Sequence, residues 1–164
     1  MELTGEQIIS ETQENVWQGL NDPEILKICI PGCDKIEKTS ENEYAVSMTA
    51  AVGPVKAKFK GTLQLSNLNP PASYDIAFNG SGGVAGFGKG TARVTLEDLE
   101  KNTRLIYSAK ATVGGKLAQV GARLIDGVAS KMADDFFAKF NATISKKNSS
   151  EIDNNELRAN SLGK

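Results

Sequence analysis

Val55-Lys56-Ala57-Lys58-Phe59-Lys60-Gly61-Thr62-Leu63-Gln64-Leu65 decides the fold, because every odd position is apolar or glycine and every even one is polar. A period of two puts one set of side chains on a dry face and the other on a wet one, which a helix cannot do. The same alternation extends in both directions. Upstream, Tyr44, Val46, Met48, Ala50 and Val52 form the dry set. Downstream, Tyr74, Ile76 and Phe78 repeat it, then Ala92, Val94 and Leu96, then Leu105, Tyr107, Ala109, Ala111 and Val113. The breaks fall at Gly53-Pro54, at Asn69-Pro70-Pro71, in the glycines after Asn79, and at Glu100-Lys101-Asn102. Breaks this short leave no room for crossover helices, so the strands predict an antiparallel meander.

Helical signals flank the meander. After a first strand at about Leu3–Ile9, Ser10-Glu11-Thr12-Gln13 has capping-box spacing and leads into a short helix through Val16 and Leu20. Asp22-Pro23 restarts it, with Asp as N-cap and proline at the first helical position, and Pro31-Gly32 stops it. From Lys116 to Lys147 apolar residues recur near every fourth position without a proline, which predicts a single long helix. Residues 148–164 are Asn/Ser-rich with scattered charge and read as a polar, disordered tail. The domain is therefore 1–147. Its class is α+β: a curved antiparallel sheet wrapped around a long C-terminal helix, with two short helices after the first strand.

Composition removes several kinds of chemistry. The chain has 164 residues, 19 Lys and Arg against 20 Asp and Glu, and no histidine. A net charge of −1 gives no electrostatic draw toward nucleic acid. Without histidine there is no imidazole base, no Ser-His-Asp triad and no His-ligated metal, and two cysteines cannot build a four-thiolate zinc site. No stretch approaches the ~18 apolar residues of a membrane span. The acidic start, Met1-Glu2-Leu3-Thr4-Gly5-Glu6, carries no signal peptide, so the expected location is cytoplasmic. Gly83 to Gly88-Lys89 has Walker spacing, but Gly90 replaces the magnesium-holding hydroxyl and a strand follows where a helix is required. No catalytic residue and no metal site is assigned.

The dry face has an unusual feature: many of its central positions are small. Ala50, Ala57, Gly61, Gly80, Gly88, Gly90, Ala92, Ala109 and Ala111 face a helix that itself carries Ala118, Gly121, Ala122 and Ala129. Either the helix packs very close on strands bent by glycine, or a cavity takes an apolar guest. The pattern leaves both open. On the cavity reading, the sheet contributes Val46, Met48, Phe59, Gly61, Leu63, Ile76, Phe78, Ala92, Val94 and Tyr107. The helix contributes Leu117, Val120, Gly121, Leu124 and Val128, and Phe87, on a glycine-rich loop, gates the mouth. Lys56, Lys58, Lys60, Lys89, Arg93 and Lys110 read as the solvated face of the sheet.

Val16-Trp17-Gln18-Gly19-Leu20-Asn21-Asp22-Pro23-Glu24 followed by Ile30-Pro31-Gly32-Cys33 resembles the N-terminal signature of the carbon monoxide dehydrogenase G-subunit family, part of the START-like (SRPBCC) helix-grip superfamily. The Phe59-Lys60-Gly61 strand, the Gly82-to-Gly90 loop and Gly121-Ala122-Arg123-Leu124-Ile125-Asp126 leading to Asp135-Phe136-Phe137 carry the same likeness. It implies a non-catalytic accessory protein of a CO-dehydrogenase-type molybdenum hydroxylase, recruitment to the membrane, and a quinone held in a hydrophobic cavity. The tail, with Ile152, Leu157 and Leu162, lacks the apolar anchoring segment of better-known members, leaving peripheral membrane contact as the expectation. The expected guest is a menaquinone-like quinone or a fatty acyl chain, oriented by tyrosine hydroxyls. The alternative is a helix-grip enzyme of the polyketide cyclase/aromatase type, which needs polar catalytic groups inside.

Overall fold

The computed structural model describes the backbone of residues 1–162 and the side chains of residues 1–146. The strands are β1 (Glu2–Ile9), β2 (Cys33–Ser40), β3 (Glu43–Val52), β4 (Val55–Asn69), β5 (Ser73–Ser81), β6 (Phe87–Leu99) and β7 (Asn102–Gly114). They form one antiparallel sheet in the order β1-β7-β6-β5-β4-β3-β2, so the meander closes by bringing its first strand against its last. The register keeps the predicted dry face intact. Ile76 lies opposite Leu65 and Ala92, Phe78 opposite Leu63 and Gly90, and Gly80 opposite Gly61 and Gly88.

Of the two short helices, α1 (Gln13–Leu20) and α2 (Pro23–Cys29), α2 is capped by Asp22 as expected, while α1 is capped by Thr12 and not by Ser10 of the capping-box spacing. The Asn15 N–H donates to Thr12 Oγ1 at 3.3 Å, and the Glu24 N–H donates to Asp22 Oδ1 at 3.0 Å with Pro23 at the first helical position. Gly32 (φ +72°) then turns the chain into β2, where a Cβ would collide with the Thr49 carbonyl.

The C-terminal helix departs from the prediction of one element over 116–147. It is two: α3 (Lys116–Gln119) and α4 (Ala122–Leu162). Gly115 (φ +70°) and Gly121 (φ +99°) adopt left-handed conformations that bracket α3 and break the helical path. The absence of proline hid this, because a glycine inside an apolar period reads as a small helical residue. The backbone of α4 runs to Leu162, past Lys147 where the sequence reading ends it. The polar tail expected at 148–164 falls on residues whose side chains lie outside the described ones.

The core occupies one end of the sheet. Ile9, Val16, Leu20, Ile25, Cys29, Tyr74, Val94, Leu96, Leu105, Phe137, Phe140 and Ile144 pack together between α1, α2, the far half of α4 and the sheet. Phe140, fully buried, stacks on Phe136 at 5.7 Å and sits against Gly19 of α1, where a Cβ would press on both Phe140 and Ile144. Thr103, also fully buried, donates to the Glu11 carbonyl at 2.8 Å, and Ser10 N–H donates to Asn141 Oδ1, which ties the end of β1 to α4. Stability is concentrated here.

Candidate functional site

The other end of the sheet is built differently. Met48, Phe59, Phe78, Ala92, Ala111 and Val113 face inward yet stay half-buried, as do Val120 and Val128 on the helical side. Side chains inside a close-packed core would be sealed. This underpacked apolar half of the sheet, facing α3 and the start of α4, is the candidate cleft.

The glycines separate the two explanations that the sequence leaves open. Gly61, Gly80 and Gly88 lie side by side across β4, β5 and β6. A Cβ on Gly61 would run into the Asn79 carbonyl, and one on Gly90 into the Lys110 carbonyl, so these two permit close, strongly curved strands. A Cβ on Gly80 would meet nothing nearer than the Lys60 carbonyl at 3.8 Å, and one on Gly88 nothing nearer than Val113 Cγ1 at 3.7 Å. Those two bend nothing. They leave the cleft floor as bare backbone.

Other glycines are covered by aromatic rings from a neighbouring element. Phe78 leans over Gly90, Phe59 over Gly82, Tyr107 over Gly5 and Phe87 over Gly114, a pairing that fills the missing side chain's space. It moves two predicted site residues. Tyr107 stacks on Phe137 at 5.1 Å and belongs with the packed core. Phe87 pairs with Gly114 and Ser81 and alternates with inward-facing Gly88, so it lies on the outer face and does not gate the cleft.

The remaining predicted residues divide cleanly. Val94 is sealed in the core, Ile76 packs against it, and Val46 and Leu63 pack against a second cluster of Leu26, Ile36 and Tyr44. Met48, Phe59, Gly61, Phe78 and Ala92 are left on the cleft's sheet side. Leu117 is buried against Gly86 and anchors α3. Leu124, 40% exposed, reaches Gly53 in the β3–β4 turn and struts α4 against the hairpin tip. Gly121 is exposed, and nothing lies within 4 Å of where its Cβ would be. Its positive φ would strain any side chain placed there, so it serves as the α3–α4 joint and not as wall. Sequence reasoning missed Val113 and Ala111 as floor residues and the special part of Gly80 and Gly88. Only what a Cβ would meet in the fold distinguishes those two from the bending glycines.

The tyrosine side chains lie away from the floor. Tyr44 OH donates to the Asn21 carbonyl at 3.4 Å, Tyr74 packs edge-on against Trp17 at 5.3 Å inside the core, and Tyr107 OH lies over Gly5. Burial raises all three above the ordinary phenol range. Burial also raises both thiols, Cys29 in the core against Thr143 and half-buried Cys33 against the Lys35 carbonyl. Neither is an activated nucleophile. Among the described residues no three His, Cys, Asp or Glu side chains gather to hold a metal ion, and no helix is long and apolar enough to cross a membrane.

Residues 5–145 match the family model described as the carbon monoxide dehydrogenase G-subunit (CoxG). A conserved protein from Geobacillus kaustophilus of solved structure is 34% identical, superposes with a TM-score of 0.84, and is aligned over 89% of this chain and 96% of its own. A START superfamily protein from Mycobacterium smegmatis (8% identity, TM-score 0.71, 88% and 97% coverage) shares the fold. So does the Zhui aromatase/cyclase from Streptomyces sp. R1128 (13% identity, TM-score 0.65, 90% and 94% coverage). No curated protein matches the sequence.

Proposed function

The chain belongs to the carbon monoxide dehydrogenase G-subunit (CoxG) family, and from that premise we propose that it binds a long apolar molecule, a menaquinone-like quinone or an acyl chain, in the cleft. The observation that carries this is the bare floor at Gly80 and Gly88, ringed by half-buried Met48, Phe59 and Phe78. An apolar guest gains about 25 cal/mol per Å² removed from water, so ~300 Å² contributes roughly 7 kcal/mol before ordering costs. An unpaired charge in the same place costs several kcal/mol. Binding is favoured over cyclase-type catalysis because the side chains around the floor are apolar and the tyrosines lie outside it. In this reading the protein is an accessory to a CO-dehydrogenase-type molybdenum hydroxylase and hands it, or takes from it, a lipid-soluble redox partner.

Native mass spectrometry of protein purified from its own host, with calorimetric titration of a soluble menaquinone analogue and of a nicotinamide nucleotide, tests the proposal. A co-purifying apolar mass and saturable binding of the analogue are expected, with micromolar or better affinity. Saturable binding of the nucleotide with none of the analogue overturns it. Calorimetry is the suitable readout because Trp17 sits in the core against Tyr74, far from the cleft floor in the register.

A further inference from the structure

The sheet has two edges, β1 and β2, and they are built differently. β2 carries the devices that keep an edge from pairing. Its register against β3 slips at Cys33–Lys35 and at Lys38–Ser40, two lysines stand on it, and α2 packs against it through Leu26 and Ile36. β1 pairs with β7 over all of Glu2–Ile9 without a slip, and it holds no lysine or proline. Met1 and Ala111 exchange both backbone hydrogen bonds, at 2.9 and 3.0 Å. By alternation Leu3, Gly5, Gln7 and Ile9 turn theirs to β7 as well. The N–H and C=O groups of Glu2, Thr4, Glu6 and Ile8 point out of the sheet edge, with no backbone partner among the described residues. The row ends at Ser10, whose N–H is taken by Asn141 Oδ1 at 2.9 Å. Both carboxylates on the strand are met from β7, Glu2 by Lys110 at 3.7 Å and Glu6 by Arg104 at 3.1 Å.

We propose that the β1 edge pairs with the β1 edge of a second copy, antiparallel about a dyad at Gly5, joining two sheets into one. A second copy is the fitting occupant because the edge is complementary to itself in this register. Thr4 falls opposite Glu6 of the second copy and Glu2 opposite its Ile8, so no carboxylate faces another and each Thr4 hydroxyl can donate to one. A dyad at Thr4 sets Glu2 against Glu6, and a dyad at Glu6 sets that residue against itself, so the neighbouring registers are disfavoured. The inner face supports the same choice. Leu3 of the second copy comes opposite Gln7, beside a groove of about 280 Å³ between Gln7–Ile9 and the α4 residues Asp134, Phe137, Ala138 and Asn141. The inference goes beyond the ligand-binding reading and does not rest on it.

The test is sedimentation equilibrium of the full chain over a wide concentration range, where a species of twice the 17.5 kDa chain mass is expected. Thr4→Pro removes one outward N–H per copy and leaves every bond to β7 in place, so the far-ultraviolet circular dichroism should stay at the parent spectrum. Two hydrogen bonds are lost per dimer, which should weaken association about thirtyfold. The register is read by oxidative cross-linking. In a Thr4→Cys, Glu6→Cys double variant the new cysteines of the two copies form hydrogen-bonded pairs with Cα atoms about 5.5 Å apart, within disulfide reach. This variant should run as a covalent dimer on a non-reducing gel. Neither single variant should exceed the parent, because like residues of the two copies lie diagonally, about 7–8 Å apart. Cys29 and Cys33 are present throughout, so the parent supplies the baseline. Monomer mass at every concentration overturns the proposal, as does association that Thr4→Pro leaves unchanged. Cross-linking by either single variant overturns it too, by placing the dyad at Thr4 or at Glu6. None of these measurements involves a guest, so this inference and the ligand-binding reading can fail separately.

Discussion

Replacing Gly80 with leucine puts a side chain into the cleft at a point where the fold does not need glycine. The nearest atom to a Cβ there is the Lys60 carbonyl oxygen at 3.8 Å, an ordinary contact. A leucine near the end of β5 also gains strand propensity over glycine, worth up to about 1 kcal/mol, so stability should hold or rise slightly. The side chain displaces roughly its own bulk of guest, about four methylenes. At about 0.8 kcal/mol each this removes ~3.2 kcal/mol, roughly two-hundred-fold in Kd. Calorimetry with the menaquinone analogue reads the affinity, and thermal denaturation followed by circular dichroism reads the fold. An unchanged affinity in a variant that melts at the parent temperature would refute the cleft as the binding site. A marked fall in melting temperature would refute the claim that Gly80 is free of packing duties.

Gly61→Ala is the counterpart: its Cβ meets the Asn79 carbonyl, so about 1–3 kcal/mol of strain should lower the melting temperature by several degrees, and an unchanged melt would contradict the curvature role. Phe140→Ala empties the centre of the packed end and should cost about 3–5 kcal/mol in urea denaturation, with a loss below 1 kcal/mol counting against that core. For pH, the tyrosines supply the sign: their phenols are raised above the ordinary value of 10.0 in the folded chain. The native state therefore holds protons that the unfolded chain releases, and stability is level below pH 10 and falls as pH rises beyond it. Absorbance at 295 nm should show phenolate appearing together with loss of circular dichroism, and phenolate at pH 10 in an intact fold would overturn the assignment.

The alternation around Val55–Leu65 was enough for the sheet, because a period of two with short breaks admits little besides antiparallel hairpins. Asp22 was legible as a cap because the side chain that satisfies the helix end is within two residues of it, whereas the capping-box spacing pointed to Ser10 at α1, where Thr12 is the cap. What failed was non-local or conformational. Gly121 takes φ +99°, and no neighbour in sequence announces a left-handed residue inside an apolar period. Phe87 was assigned to the cleft from its glycine surroundings, but its face is set by pairing with Gly114, 27 positions away in the chain. Val94 and Tyr107 share the inward face with Phe78. Whether an inward residue is sealed or open depends on which half of α4 stands above it, and Phe137 covers that row.

The inner face is therefore one chemical surface used in two ways, and the boundary between them runs along the strands. Where β5, β6 and β7 carry Tyr74, Val94, Leu96 and Leu105, α1, α2 and the phenylalanines of α4 fill the space completely. Where the same strands carry Gly80, Gly88 and Ala111, the opposing elements are α3, its glycine joint and the start of α4, which touches the β3–β4 turn through Leu124. A domain stabilised at one end can leave the other underpacked, because the apolar burial that holds the sheet together does not depend on the cleft being filled. The tyrosines sharpen the consequence. With their hydroxyls turned to Asn21, to the core and over Gly5, the floor offers a guest area and shape with no hydrogen-bond partner from them. If the proposed guest binds there, selection would rest on the length and width of its apolar body and not on recognition of a head group within.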